Sequence, residues 1–281
     1  MTTIKIGADP ELFVQLADGS FISGHVFECG TKEQPLKTTS GAVQVDGMAL
    51  EFNVNPAETK NEFINNTISV LGDLNKIVGQ RYAGAKLKAI PVCDFGAEYI
   101  SRVPKEASML GCNPDFNAWT GDPNPVPNAE LPFRTGSGHV HIGWTDGAIP
   151  TESAHYSLCC DIVKELDYYL GLPSLLWDRD NRRRTLYGRA GAFRPKPYGL
   201  EYRVLSNQWL KSRDLMEFVY DRAVRATKNV LNPLKKPLYV SEGDTARKLI
   251  DNESEEVRIR WPTVHQKIRS RVLRDMEFAG A

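Results

Sequence analysis

The chain has 281 residues, 41% of them apolar, so it is long enough to bury a large core. Its 35 basic and 35 acidic side chains cancel, so bulk charge does not indicate a nucleic-acid or membrane partner. The first residues contain no apolar leader segment, and no stretch approaches the roughly 18 uninterrupted apolar residues of a membrane-spanning helix. We therefore expect a soluble, cytoplasmic protein.

The cysteines argue against a disulfide framework or a zinc site. Their number is odd, none of them has Cys-x-x-Cys spacing, and the adjacent pair falls in a helical pattern typical of core. They are Cys29, Cys93, Cys112, Cys159 and Cys160.

The hydrophobic pattern predicts strands first and helices after them. Residues 2–55 alternate as strands, including a run at 43–54, and residues 58–82 have the three-to-four spacing of a long amphipathic helix. A short strand is predicted at 89–92. Residues 111–132 contain too many Pro, Asn, Asp and Gly for a regular element and predict a long ordered loop of the kind that is often functional.

The second half continues with a strand at 139–144 and a helix capped by Thr151 that runs to about residue 170. An arginine-dense segment, a strand at 200–205, a helix from Ser212 to about 231 and short charged helices from 245 follow. Strands without regular βαβ alternation favour an α+β fold with a mostly antiparallel sheet and helices on one face. We expect one catalytic domain over residues 1–281, with a helical tail from about 235.

Acidic and amide side chains recur on predicted strands near the N-terminus. In the segment GADPELF, alternation puts Asp9 and Glu11 on one sheet face. Two adjacent carboxylates repel unless a cation lies between them, although a solvent-facing acidic edge is the alternative. A later strand places Glu51, Asn53 and Asn55 on one face, where they either face water or suit a hard ion such as Mg²⁺.

Two further strands carry histidines and arginines. In GSGHVHIG, His139 and His141 share a face behind a glycine-rich entry, which suits metal or nucleotide contact but also an ordinary histidine strand. In GLEYRV, Glu201 and Arg203 share a face. Between them, residues 182–184 form an arginine triplet that we expect to be solvated. Arg189 and Arg194, which lie among Gly and Pro, are instead candidates to bind phosphate or carboxylate.

Taken in chain order, these segments resemble the glutamine-synthetase-like superfamily, and most closely the small phage-type amidoligases, carboxylate-amine ligases of type 2. The resemblance touches most of the chain and implies a glutamine-synthetase-like fold that uses ATP and Mg²⁺ or Mn²⁺. It implies metal ligands at Asp9, where glutamine synthetase usually has Glu, and at Glu11, Glu51, His139 and Glu201, with Asp46 as a further candidate.

The resemblance also implies roles for the remaining motif residues. His139 would bind metal or contact phosphate, and His141 would be a neighbour of substrate or nucleotide. Arg203 would contact phosphate, and Arg189 and Arg194 would bind phosphate and the transferred phosphoryl group. In the loop GCNPDFNAW, residues 111–119, Asp115 and Trp119 would shape the substrate pocket, and Asp115 is the candidate proton acceptor.

The implied activity is ATP-dependent amide formation from a small-molecule or peptide carboxylate and an amine through an acyl phosphate. If the chain is phage-encoded, it would act in the host cytoplasm. A guanidino-kinase-like phosphotransferase, a metal-dependent hydrolase and a catalytically inactive binding module of the same fold are the alternatives.

Overall fold

The computed structural model describes residues 2–108, 115–125, 131–252 and 254–273. Residues 111–114, which include Cys112, and residues 126–130 of the predicted loop lie outside these ranges. The strands are β1 Lys5–Gln15, β2 Phe21–Ile22, β3 Leu36–Thr38, β4 Gly41–Asp46, β5 Ala49–Ala57, β6 Lys86–Lys88, β7 Val92–Asp94, β8 Phe116–Asn117, β9 Phe133–Thr135, β10 Gly138–Gly143, β11 Ala192–Lys196 and β12 Gly199–Tyr202.

Ten of the strands in the described ranges form one antiparallel sheet in the order β3-β4-β5-β1-β10-β12-β11-β8, with β2 and β6 paired to β1. Strands β7 and β9 form a separate pair. The predicted α+β class with a mostly antiparallel sheet is therefore confirmed.

The helices are α1 Lys60–Arg81, α2 Ala97–Arg102, α3 Lys105–Ser108, α4 Ser153–Leu166, α5 Leu172–Ser174, α6 Arg182–Leu186, α7 Arg213–Leu231, α8 Leu238–Glu242, α9 Thr245–Asp251, α10 Glu255–Val264 and α11 Gln266–Val272. Helix α7 begins after Ser212, whose hydroxyl accepts from the backbone N–H of Leu215, as predicted. Short charged helices also follow residue 245 as predicted.

Three local predictions were wrong. The run at 43–54 is a hairpin, because Gly47 adopts φ +57° and reverses the chain between β4 and β5. The strand predicted at 89–92 begins only at Val92, as β7. Helix α4 begins at Ser153, with Glu152 and not Thr151 at the N-cap.

One face of the sheet carries the main hydrophobic core. Alternate residues of the four central strands are buried on this face beneath helices α1, α4 and α7. They include Ile6, Ala8 and Leu12 of β1, Leu50, Phe52 and Val54 of β5, Val140 and Ile142 of β10, and Leu200 and Tyr202 of β12. Because side chains alternate along a strand, the residues between them project from the opposite face, and these are the polar residues of the motifs.

Candidate active site

Pairing of the central strands brings distant motifs side by side on the polar face. Asp9 lies opposite His139 across β1 and β10, and Glu11 lies opposite Glu51 across β1 and β5. On the far side of β10, His141 lies opposite Glu201 of β12. Six of the predicted site residues therefore lie side by side across four adjacent strands.

The first group that can hold a metal ion is Asp9, His139 and Glu201, each with a ligand atom within 4.8 Å of the others. His139 Nδ1 lies 3.4 Å from Asp9 Oδ1 and 3.5 Å from Glu201 Oε1. The side chains of His139 and Glu201 are almost fully buried, and that of Asp9 is mostly so. Two carboxylates and an imidazole form a donor set that divalent cations accept.

The second group is Glu11, Asp46 and Glu51, again within 4.8 Å of one another. Asp46 is the last residue of β4, and the turn at Gly47 places it beside β5. Glu11 Oε2 accepts from the backbone N–H of Ser137 at 2.8 Å. These three carboxyl groups suit a hard cation that prefers oxygen ligands.

Strand β4 also supplies Gln44, a buried residue that we did not select from the sequence. Its Nε2 donates to Glu51 Oε1 at 2.7 Å, and its Oε1 accepts from Asn53 Nδ2 at 3.3 Å. Gln44 therefore fixes the orientation of the Glu51 carboxyl and occupies one of its two oxygens.

Two carboxyl groups of the second group, those of Glu11 and Glu51, resist ionisation in this arrangement. Burial and the charge of Asp46 raise the pKa of Glu11 to about 7, despite the hydrogen bond from Ser137. Burial, together with the charges of Asp9, Asp46 and Glu11, raises the pKa of Glu51 well above its usual range. This crowding of carboxyl groups is relieved either by protons or by a cation.

The two carboxyl groups of the first group ionise more readily because His141 lies beside Asp9 and Arg203 lies beside Glu201. Burial and the charge of Asp9 would raise the pKa of Glu201, but Arg203 and the two histidines offset them and hold it at about 2. The pKa of Asp9 stays well below its usual range because His141 and His139 outweigh its burial.

The site shifts the pKa values of the two histidines in opposite directions. Burial and the charge of Arg203 lower the pKa of His139 to about 4, so this imidazole is neutral, as a metal ligand must be. Burial also acts to lower the pKa of His141, but the charge of Asp9 and the contact with it outweigh burial and raise the value.

One buried oxygen provides an independent test of whether a cation fits the first group. Asp9 Oδ1 is buried and accepts no well-aligned hydrogen bond, although it lies 3.0 Å from His141 Nε2 and 3.4 Å from His139 Nδ1. Buried oxygens without a hydrogen bond are rare in proteins and call for an explanation. An ion at this position would satisfy it, so the residues present fit a divalent cation.

Basic side chains converge on Glu201 from β11 and from the residue that follows β12. Arg203 Nη1 donates to Glu201 Oε1, Lys196 Nζ lies 2.8 Å from Glu201 Oε2, and Arg194 Nη1 lies 3.5 Å from Oε1. Arg203 Nε also donates to Asp115 Oδ2 at 3.0 Å, which brings the loop residue Asp115 to the site. Lys196 was not among the site residues we selected, although its alternation with Arg194 on β11 predicts the same face.

The expectation that residues 182–184 form a solvated triplet was wrong for two of the three arginines. Arg182 is exposed and pairs with Asp94 and Asp180. Arg183 is fully buried, and Arg184 is buried beside Asp178, 3.2 Å away. The short helix α6 turns one side toward the core, where these guanidinium groups find carbonyl and carboxylate partners.

Two other expected residues lie elsewhere. Arg189 is exposed, and its Nη2 donates to the backbone carbonyl of Thr185, so the structure does not bring it to the acidic groups. Trp119 donates from Nε1 to Asp167 at 2.6 Å, and Asp167 also accepts from the hydroxyl of Tyr202 on the core side of β12. The indole of Trp119 thus reaches behind the sheet, where it cannot form the wall of a pocket on the polar face.

A cavity of about 690 Å³ opens beside His141, where β1 begins and β10 ends. Its lining includes Gly7, Asn53 and His141 from the sheet, and Trp144 and Tyr198 from the segments that follow β10 and β11. The volume is in the range of small-molecule sites. Tyr198 was also missed by the sequence analysis, because it lies in a turn where no periodicity indicates which residues face a site.

Comparison with known proteins supports the ligase family that the motifs resemble. A sequence model of the family described as phage phiEco32-like COOH.NH2 ligase-type 2 matches residues 121–273, more than half of the chain. A solved bifunctional glutathione synthetase from Pasteurella multocida is similar at 11% identity and a TM-score of 0.43. The alignment covers 97% of this chain but 49% of that structure, so the chain spans about half the length of the synthetase. No curated protein matches the chain.

Among the described residues, we find no helix with the length and apolar character needed to cross a membrane.

Proposed function

The chain belongs to the phage phiEco32-like COOH.NH2 ligase-type 2 family, and we propose that it joins a carboxylate to an amine with ATP and Mg²⁺, by way of an acyl phosphate. The observation that carries this proposal is the pair of acidic groups on one sheet face, bordered by Arg194, Lys196 and Arg203. We further propose that the catalytic sheet is glutamine-synthetase-like.

The two groups would hold divalent cations. Asp9, His139 and Glu201 would bind one ion, and Glu11, Asp46 and Glu51 would bind another. When bound, these ions would neutralise charge on the phosphates of ATP. Asp9 Oδ1, which is buried and accepts no well-aligned hydrogen bond, supports the first assignment, and the crowding of three carboxyl groups supports the second.

The basic residues would bind the phosphates. Arg203, Arg194 and Lys196 all reach Glu201, and a triphosphate beside Glu201 would offer them further oxygens. Arginine suits this task because its planar fork binds two oxygens of a phosphate at once. The cavity beside His141 would take the nucleoside, with Trp144 and Tyr198 as aromatic walls.

In the proposed reaction, a carboxylate oxygen of the acid attacks the γ-phosphorus of ATP, and ADP leaves. The amine nitrogen then attacks the acyl carbon, inorganic phosphate leaves, and a proton is lost from nitrogen. Asp115 is the candidate acceptor of that proton because it lies beside Arg203 on the polar face. The chain's own task is to position the reactants and stabilise the transferred phosphoryl group.

The test is to incubate the protein with ATP, Mg²⁺ and a metabolite extract and to analyse the products by mass spectrometry. We expect ADP, phosphate and a new compound whose mass is that of two extract components less one water. A guanidino-kinase-like phosphotransferase would instead give ADP and a phosphorylated compound, without free phosphate. An inactive binding module would turn over no ATP.

Two variants serve as site controls for this test. Glu201→Ala and Arg203→Ala should abolish product formation and leave the circular dichroism spectrum intact, because both side chains lie on the polar face. Fully active variants would contradict the proposed site even if the wild-type protein proved to be a ligase.

A further inference from the structure

The backbone at Tyr198 is fixed by the turn that joins β11 to β12. Its carbonyl oxygen accepts from the backbone N–H groups of Trp144, at 3.0 Å, and Thr145, at 3.3 Å. The next residue, Gly199, has φ +149°, and a Cβ there would lie 2.1 Å from the carbonyl oxygen of Ile142. The turn therefore needs glycine at this position and leaves Tyr198 little freedom to move.

The side chain of Tyr198 reaches back from this turn to the polar face. Its hydroxyl forms a hydrogen bond with Nδ1 of His141, and the two rings are tilted by 46° with their centroids 6.0 Å apart. On the other side of the imidazole, Nε2 lies 3.0 Å from Asp9 Oδ1. Both nitrogens of His141 thus have neighbours, one in the turn and one in the first acidic group.

Tyr198 and His141 also line the cavity together. The same phenol therefore contacts the imidazole beside the acidic group and forms part of the wall against which a bound molecule would rest. A residue needed only to close the turn would not have to place its hydroxyl on His141, because the backbone bonds to residues 144 and 145 already close the turn.

We propose that Tyr198 is a positioning residue for His141. Its hydroxyl holds the imidazole so that Nε2 faces Asp9, which makes His141 a neighbour of Asp9 and not itself an ion ligand. Without this bond the ring would be free to rotate and would present a different edge to both Asp9 and the cavity. That loss would weaken binding of the Mg²⁺–nucleotide complex, a consequence that rests on the proposed function.

The first experiment needs no ligand. The chain has five histidines, so the imidazole ¹⁵N resonances can be assigned with a His141→Gln variant. Tyr198→Phe should shift the Nδ1 resonance of His141 and leave His155, whose Nε2 lies 3.0 Å from the carbonyl oxygen of Lys196, unchanged. The matched control is Tyr220→Phe, which also removes one phenol, here one that donates to the carbonyl of Glu58 at 2.6 Å. It should leave His141 unshifted.

The second experiment measures binding of Mg²⁺–ATP to the same proteins by titration calorimetry. Tyr198→Phe should weaken binding by about threefold to tenfold, the effect of one lost hydrogen bond, and Tyr220→Phe should leave it within about twofold. An unshifted His141 resonance in Tyr198→Phe would overturn the inference, as would a shifted resonance with unchanged affinity. If the wild-type protein bound no Mg²⁺–ATP, the proposed function would fail, and the resonances alone would decide whether Tyr198 positions His141.

Discussion

Arg183 donates from Nη2 to the backbone carbonyl oxygen of Arg203, 3.2 Å away, so a buried arginine holds the strand end from which a site arginine projects. Its Nη1 donates to the next carbonyl, that of Val204, at 2.8 Å. Burial lowers the pKa of Arg183 to about 10, still far above neutral pH, so the guanidinium stays charged. Gly188 has φ +77°, and a Cβ there would lie 2.1 Å from Nη1, so this packing also depends on glycine.

Replacing Arg183 with Lys should therefore destabilise the protein more than the same change at Arg182. Lysine keeps the charge but has no planar fork to reach two carbonyl oxygens, and it leaves buried acceptors without partners. We expect Arg183→Lys to lower the free energy of unfolding by about 2–4 kcal/mol. Arg182→Lys, which affects only exposed ion pairs, should lower the free energy of unfolding by less than about 1 kcal/mol. Urea unfolding of both variants gives the comparison, and equal losses would refute the structural role of Arg183.

Local sequence was sufficient to predict which side chains share the polar face. The alternation of Asp9 with Glu11, of His139 with His141 and of Glu201 with Arg203 follows from strand geometry alone, and the structure preserves all three pairs. It was not sufficient to predict which strands are neighbours. That Asp9 meets His139, and Glu11 meets Glu51, depends on pairing between segments far apart in the chain.

The residues that we missed or misplaced lie where periodicity gives no information. Tyr198 is in a two-residue turn. Asp46, which only the family resemblance made a candidate, reaches its group because Gly47 reverses the chain. Arg183 was expected in solvent because charged residues are seldom buried without a partner. Its partners are the backbone carbonyls of Arg203 and Val204, which directly follow β12 and lie 20 and 21 residues further along the chain, so composition cannot reveal them.

The buried carboxyl of Asp167 should make stability depend on pH. Burial raises the pKa of Asp167 to about 7, although Trp119 and Tyr202 donate to it. In the unfolded chain the group ionises near pH 4, so the folded state binds one more proton between these values. The contribution of this carboxyl to the free energy of unfolding is therefore fully present below about pH 4. As the pH rises to about 7, the free energy of unfolding falls by up to about 4 kcal/mol.

Replacement of Asp167 by Asn should remove this dependence. The amide can accept from Trp119 with its oxygen and donate to the hydroxyl of Tyr202, as a protonated carboxyl would. We expect the free energy of unfolding of Asp167→Asn, minus that of the wild-type protein, to increase from pH 5 to pH 8. Urea unfolding at four pH values tests this, since other titrating groups cancel in the difference. A difference that does not change with pH would show that the carboxyl is ionised throughout.

The structure separates two arginines that the sequence placed in one role. Arg194 lies on the polar face 3.5 Å from Glu201, whereas Arg189 is exposed and bonded to Thr185. If Arg194 grips the transferred phosphoryl group, Arg194→Lys should lower kcat by about 100-fold or more, the scale of losing one preorganised transition-state donor. Arg189→Lys should change kcat by less than about threefold, because lysine retains the charge at an exposed position. Steady-state ATP turnover, with circular dichroism as the folding control, makes the comparison. Equal effects, or a larger one at Arg189, would indicate that the residues around Gly188 bind the transferred phosphoryl group.

The last prediction concerns Glu51, where a substitution that does not destabilise the metal-free protein should greatly reduce the rise in Tm that Mg²⁺ produces. Because burial and three neighbouring carboxyl groups raise the pKa of Glu51, the free protein favours the protonated form of this group, and an amide resembles that form closely. Gln44 donates to Glu51 Oε1 and can donate equally to the amide oxygen of Gln. In the presence of chelator, Glu51→Gln should therefore unfold at the wild-type Tm or slightly above it.

Addition of Mg²⁺ should then separate the two proteins. At about 100 times its dissociation constant, an ion that binds only the folded state stabilises it by about 2.7 kcal/mol, so the wild-type Tm should rise. Glu51→Gln should show much less of this rise, because an amide is a weaker ligand than a carboxylate and leaves Glu11 and Asp46 alone in their group. Glu256→Gln, which changes an exposed glutamate paired with Arg260, is the matched control and should respond to Mg²⁺ as the wild-type protein does. The opposite pattern, a variant less stable in chelator with an undiminished response to Mg²⁺, would make Glu51 a structural residue and leave the second acidic group without an ion.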